Sequence, residues 1–268
     1  QLEEGLLRSL AKGRDHPPLC LLVDEWGVHF DATAPSQMEQ LIATPITAAQ
    51  ADRARALQTL WREQRLSKVN PPLEAEAPQE PYVLVVDQSA GDRSIALGLA
   101  DASCFQRMLQ AALDEHPDCT VVLKVHPDVI AGRARGHFSA KDLAQPRVRI
   151  SADGGHPARL LERARAVYVV TSQMGFEALL WGRPVHCFGM PFYGGWGLTH
   201  DRCEAPIRRR QGASLEALVH AALVRGCRCI DPQRHQACNI EDLMGAIGLQ
   251  RRLQAQQPRR CLAFGFTP

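Results

Sequence analysis

Tyr82-Val-Leu-Val-Val86-Asp-Gln88-Ser-Ala-Gly91-Asp92-Arg-Ser94 decides the fold. Five consecutive apolar residues end abruptly in a polar loop, and a helical pattern follows over Ser103 to Glu115. An unbroken apolar run of this length fits a strand buried on both faces, as in a parallel sheet. The arrangement recurs downstream. Thr120-Val-Val-Leu-Lys-Val125 ends at His126-Pro127, and Val148-Arg-Ile150 precedes a helical pattern at 157–164. Ala166-Val-Tyr-Val-Val170 precedes another at 172–181, and Pro184-Val-His-Cys-Phe188 opens into a glycine-rich loop. Strands alternating with helices predict an α/β fold, with a Rossmann-like domain over 81–225.

Upstream, residues 70–81 hold four prolines among acidic and amide residues, the composition of a linker. Residues 1–80 are therefore expected to form the remainder of an N-terminal lobe plus that linker. Within them the short apolar runs 19–23 and 28–32, separated by Glu25-Trp-Gly27, predict a hairpin or strand pair. A helix is expected to begin near Pro35, and residues 48–66 carry apolar positions at helical spacing with many arginines, a long exposed helix. Downstream, helical patterns cover 215–224 and 240–253, and 226–268 is expected to be a C-terminal helical segment.

Composition narrows the function. The chain of 268 residues has 45% apolar residues, enough for a sizeable core. A net charge of +2 excludes an overall polybasic nucleic-acid binder. No run approaches the roughly 18 apolar residues of a membrane span. Gln1-Leu-Glu-Glu-Gly5 is acidic where a signal peptide carries basic residues, and the absence of an initial Met suggests an excised fragment. These features predict a cytoplasmic protein whose membrane contact, if any, is peripheral. The nine cysteines are odd in number, scattered and without a Cys-x-x-Cys pair, so free thiols are expected rather than disulfides or zinc.

Ligands of open α/β sheets bind at the carboxyl ends of the strands. Those positions carry Asp87 to Ser94, Lys124 to Asp128, Thr171 to Glu177 and Gly189 to Gly197. Each has a plainer reading. Asp92 suits a turn cap, His126 a surface histidine, and Thr171-Ser172 an ordinary helix cap. A helix start with hydroxyls and free N–H groups also suits a phosphate, and Glu177, one turn on, suits a ribose or plain solvent exposure. The loop Tyr193 to Gly197 fits neither a Walker motif nor a dinucleotide fingerprint. Spacing alone therefore reaches a nucleotide-type ligand domain.

Taken in order, several segments resemble the capsule-polysaccharide β-Kdo glycosyltransferases of the KpsC type, cytoplasmic enzymes that build the Kdo linker of capsule glycolipids. The N-terminal part contributes Glu3-Glu4-Gly5-Leu-Leu-Arg8-Ser9 and Leu22 to Ser36, and the strand ends Gln88 to Ser94, Lys124 to Asp128 and Thr171 to Glu177. Gly182 to Asp201 follows, with Arg209-Arg210, Leu215-Glu216 and Ile230-Asp231-Pro232. Glu4 stands where the pattern suggests Asp, and Val125 where it suggests Pro.

The resemblance implies a two-Rossmann-domain, GT-B-like architecture, the first domain incomplete here. It implies a CMP-Kdo donor, a Kdo-terminated lipid-linked acceptor and association with the capsule assembly machinery, with no nucleic acid, metal or other cofactor. Lys124, His126 and Pro127, with Thr171 and Ser172, are expected at the CMP phosphate, and Glu177 at its ribose. Retention at the anomeric carbon calls for two carboxylates about 5–5.5 Å apart if it follows the retaining glycosidases. Asp92 is expected as nucleophile and Glu3 or Glu4 as acid/base, with Gln88 and Ser94 orienting Asp92. Arg8, Tyr193, Gly195 and Trp196 are expected in support. The alternatives are an inactive capsule-locus paralogue acting as an interaction or export partner, or another nucleotide-sugar enzyme such as a sialyltransferase or UDP-sugar epimerase.

Overall fold

A computed structural model describes residues 1–11, 16–130 and 132–256. In chain order the chain forms β1 (Leu2–Glu4), β2 (Cys20–Val23), α1 (Gln37–Ala43), α2 (Ala48–Glu63) and β3 (Tyr82–Val86). Next come α3 (Arg93–Leu97), α4 (Ser103–Glu115), β4 (Thr120–Lys124), α5 (Pro127–Ile130), α6 (Ala140–Leu143) and β5 (Val148–Ser151). Then follow α7 (Ala158–Arg163), β6 (Val167–Val169), α8 (Met174–Leu180), β7 (Val185–Cys187) and β8 (His200–Asp201). The remainder is α9 (Leu215–Val219), continuing as a π-helical turn over His220–Arg225, then β9 (Cys227–Ile230), β10 (Ala237–Cys238) and α10 (Ile240–Gln256).

Six strands form a sheet in the order β5-β4-β3-β6-β7-β8, every pair parallel. Alternation along β3 divides its side chains between two apolar layers. Tyr82, Leu84 and Val86 join the layer containing α2, α7 and α8, whereas Val83 and Val85 join the layer covered by α4. Both faces are covered, so every residue of β3 is buried. The order runs outward from β3 to β5, then restarts on the other side of β3 with β6. The topological switch point, where an open α/β sheet leaves a crevice, therefore lies between the carboxyl ends of β3 and β6.

A second sheet, β1-β2-β9-β10, is antiparallel and brings the two ends of the described chain together. Leu6, Leu7, Cys20 and Leu22 share one continuous core with Tyr82, Leu84 and Phe176. The proline-rich stretch lies against this body. Glu74 receives hydrogen bonds from Arg65 and Arg251, and burial competes with these cations, which hold its carboxyl down at about 2.

The hairpin or strand pair expected over 19–32 does not form. Asp24 Oδ1 accepts the N–H groups of Trp26, Gly27 and Gln37 at 2.9–3.0 Å, and Oδ2 that of Met38. Burial opposes ionisation here, but these four donors hold the carboxyl below its usual range. The chain is turned into α1 instead, and β2 pairs with β1 and β9. The eight cysteines among the described residues are free, and no helix among them is long and apolar enough to cross a membrane.

One buried ion cluster ties α1 to the glycine-rich loop. Arg209, wholly buried, donates Nε–H to Glu39 Oε1 at 2.5 Å and Nη1–H to Pro191 O and Gly194 O. Arg208 donates to Glu39 Oε2 and to the carbonyls of Ala32 and Ala34. Removing one partner of such a pair leaves a buried charge uncompensated. Glu39→Leu is expected to destabilise the fold by about 3–5 kcal/mol in denaturant unfolding, and Glu39→Leu with Arg209→Met by less.

Candidate active site

The switch point opens into a cleft of about 520 Å³. Its strand-end side comes from Gln88, Asp92, Arg93 and Ser94 after β3, His126 after β4, and Thr171, Ser172 and Gln173 after β6. Glu3, Glu4, His29, Phe30 and Lys68 line it from the N-terminal elements, and Pro191 and Phe192 from the glycine-rich loop. Eight residues expected from sequence thus share one cavity: Glu3, Glu4, Gln88, Asp92, Ser94, His126, Thr171 and Ser172.

Gln88 is the hub of the strand-end side. Buried at 5% exposure, its Oε1 accepts the Thr171 backbone N–H at 3.0 Å, joining the ends of β3 and β6. Its Nε2 faces Thr171 Oγ1 at 3.0 Å, Ser94 Oγ at 3.3 Å and Asp92 Oδ2 at 3.4 Å. Thr171 also meets Gly98, where a Cβ would stand 2.4 Å from its methyl group, so only glycine permits this approach. Asp87 fixes the same turn by accepting the Gln88 N–H at 2.8 Å and pairing with His137 Nδ1 at 3.1 Å.

Asp92 is exposed and caps α3, its Oδ1 accepting the Ser94 N–H at 2.9 Å. Gly91, at φ 84°, supplies the left-handed turn that brings it there. Asp92 thus both caps α3 and lines the cleft. His126 Nδ1 accepts the Asp128 N–H at 3.1 Å and lies 3.2 Å from Ser89 Oγ. With Nδ1 an acceptor, the proton of the neutral ring sits on Nε2. Ser172 Oγ accepts the Met174 N–H at 3.3 Å, and Glu4 receives Arg8 Nε–H at 2.8 Å.

Other expected residues lie behind the cleft. Arg8 is buried, bracing Ala11 O and His16 O. Tyr193 is fully buried, donates to Ser172 O at 2.5 Å and packs against Gly175. Trp196 is buried and donates to Phe192 O, and Gly195 N–H donates to Asp201. Lys124 is buried, with Nζ 3.5 Å from Gly155 O, and burial lowers its pKa. Pro127 opens α5 immediately after His126. Glu177 is 2% exposed, its Oε1 accepting the Lys68 N–H at 3.1 Å and its Oε2 buried without a hydrogen-bond partner.

Sequence reading gave no role to His29, Phe30, Lys68, Gln173, Pro191 or Phe192, although the last three lie in the strand-end loops it singled out. Arg93 and Gln173 adjoin expected residues, but Lys68 and His29 reach the cleft only through tertiary packing. His29 is crowded by burial and by the Lys68 ammonium, which lower its pKa to about 4. Among the described residues no group of three or more His, Cys, Asp or Glu converges on a metal position.

Burial pushes Glu177 up to about 7, more than Ser67 and the lysines Lys68 and Lys124 pull it down. The folded chain therefore keeps a proton there that the unfolded chain releases near pH 4.5. This stabilisation is complete below the unfolded value and lost as pH rises through about 7. Glu177→Gln is expected to flatten that part of the stability profile, gaining on the parent between about pH 5 and 8 in denaturant unfolding.

Comparison with known proteins agrees with this architecture. A family model described as capsule polysaccharide biosynthesis protein matches residues 47–229. The structure of the Thermosulfurimonas dismutans KpsC beta Kdo 2,4 transferase is 38% identical with a TM-score of 0.85, covering 92% of this chain and 78% of that one. The same organism's KpsC beta Kdo 2,7 transferase is 26% identical with a TM-score of 0.72, covering 93% and 77%. The capsule polysaccharide modification protein LipA of Neisseria meningitidis serogroup B is 38% identical over 267 residues. That match takes in 94% of this chain but 38% of LipA, so the chain spans well under half the length of this relative. With a parallel switch-point cleft and these likenesses over nearly its whole length, the chain belongs to the capsule polysaccharide biosynthesis protein family and is of the KpsC type.

Proposed function

We propose that the cleft binds CMP-Kdo and transfers its Kdo, with retention, to a Kdo-terminated lipid-linked acceptor in building the capsule glycolipid linker. The observation that carries this is convergence. Residues as far apart in sequence as Glu3 and Ser172 line one cavity at the switch point, among them Glu3, Glu4, Asp92, His126, Thr171 and Ser172, which the resemblance assigns to donor and catalysis.

Each group has a chemical task. His126 presents Nε2–H because Asp128 donates into Nδ1, so it can donate to a phosphate oxygen as CMP leaves. Ser172 adds a hydroxyl beside it. Asp92 attacks the anomeric carbon of Kdo, the bond to CMP breaks, and a glycosyl-aspartate forms. Glu3 or Glu4 then removes the acceptor hydroxyl proton as that oxygen attacks the same carbon and frees Asp92. Two inversions give retention. Gln88 and Ser94 hold the Asp92 carboxylate, and Arg8 anchors Glu4. Protein donors alone can neutralise the single phosphate of CMP, so this reading assigns no metal or other cofactor. The greater likeness to the 2,4 transferase supports a 2→4 linkage. The acceptor's lipid anchor supports work at the cytoplasmic face of the inner membrane, peripherally, alongside the capsule assembly machinery.

CMP-Kdo and a synthetic Kdo-terminated acceptor are expected to give a product one Kdo heavier, with the linkage read by NMR. No product, or equal use of UDP-sugars, would contradict the reading. Asp92→Asn is expected to abolish transfer while leaving calorimetric CMP affinity nearly unchanged. His126→Ala is expected to weaken CMP by about 1.5–3 kcal/mol.

A further inference from the structure

The cleft is rich in carboxylates for a site that would take an acidic sugar. Glu3, Glu4 and Asp92 all line it, and an incoming carboxylate would be repelled unless a cation met it. Two lining residues have basic side chains, Arg93 and Lys68. His29 is held neutral near pH 7 and adds no positive charge. Arg93 is an exposed residue in the first turn of α3, whereas Lys68 is half-buried in a segment fixed at almost every polar backbone atom.

That fixation is detailed. Lys68 O accepts the Arg8 N–H at 2.8 Å. Asn70, wholly buried, accepts the Ser67 N–H at 2.9 Å and donates to Ser67 O at 2.7 Å and Ser9 O at 3.2 Å. Its Oδ1 lies 3.1 Å from His156 Nε2. Beneath, Glu177 Oε1 accepts the Lys68 N–H at 3.1 Å. A wholly buried glutamate thus serves the backbone of a cleft-lining lysine and does not itself line the cleft. Lys68 reaches the cleft from the side of Glu3 and Glu4, whereas His126 and Ser172 lie at the strand ends.

We propose that Lys68 binds the carboxylate of an acidic sugar in this cleft, and that Glu177 is the positioning residue that delivers it without touching substrate. The inference rests on the function proposed above and deepens it. The carboxylate could belong to the donor sugar or to the acidic terminus of the acceptor, and the kinetics separate them.

The test measures KM for CMP-Kdo, KM for a Kdo-terminated acceptor, and calorimetric affinity for CMP alone. Lys68→Met is expected to raise one of the two KM values at least about tenfold while CMP affinity stays within about twofold. Lys68→Arg should recover part of the loss. A rise in donor KM assigns the donor carboxylate, and a rise in acceptor KM the acceptor's. Glu177→Ala should raise the same KM, and Glu177→Gln, which keeps an oxygen for the Lys68 N–H, should largely reverse the rise. Unchanged KM values in Lys68→Met, or CMP affinity falling by the same factor as KM rises, overturn the carboxylate assignment. Weakened CMP binding by Glu177→Ala, with the fold intact by circular dichroism, overturns positioning and indicates direct nucleotide contact. Absence of transfer by the parent chain contradicts the proposed function itself.

Discussion

The bond from the Thr171 N–H to Gln88 Oε1 is the constraint on which the site depends. At a switch point the connections leave neighbouring strands in opposite directions, so a crevice opens and nothing in the sheet ladder holds its lips together. Gln88 supplies that tie. One buried amide satisfies the Thr171 N–H just beyond β6 and lies within hydrogen-bonding distance of Ser94 and Asp92. Gly98 is bare because Thr171 needs the space, and Asp87 is buried because it fixes the turn preceding Gln88.

Strain and charge are arranged around that tie. Gly91 takes a left-handed conformation so that Asp92 can cap α3 and still line the cleft. On the other side, Arg8 holds Glu4 with its side chain and Lys68 O with its backbone N–H, so the acidic β1 and the basic cleft lysine share one anchor. Behind the site, Arg209 and Glu39 lock the glycine-rich loop to α1, fixing Pro191 and Phe192 in the cleft wall. Glu4 and Lys68 are thereby anchored by Arg8, a buried group that does not line the cleft.

The parallel sheet was legible because most of its strands are short, largely apolar and bounded by polar loops. The strand-end rule then pointed to Gln88, Asp92, His126, Thr171 and Ser172 without knowledge of packing. β8 escaped because two residues carry no period, and Cys227-Arg-Cys-Ile230 because its strand partner, β2, lies at the far end of the chain. The Val28–Ala32 run read as a strand, yet Asp24 gathers four N–H groups and turns the chain away first. Lys68 and His29 were invisible for a related reason. A loop residue's place in a cleft is decided by what holds its backbone, here Arg8 and Glu177, and neither neighbour is local. From its spacing Glu177 could reach a ribose or sit in solvent; its side chain is buried, and its Oε1 accepts the Lys68 N–H.

The most direct measurement is a crystal structure of the chain with CMP bound. The account predicts the phosphate against His126 Nε2 and Ser172 Oγ in the switch-point cleft, with Asp92 and Lys68 facing the space beyond it. CMP in another cavity, or in this cleft with its phosphate remote from both His126 and Ser172, would contradict it.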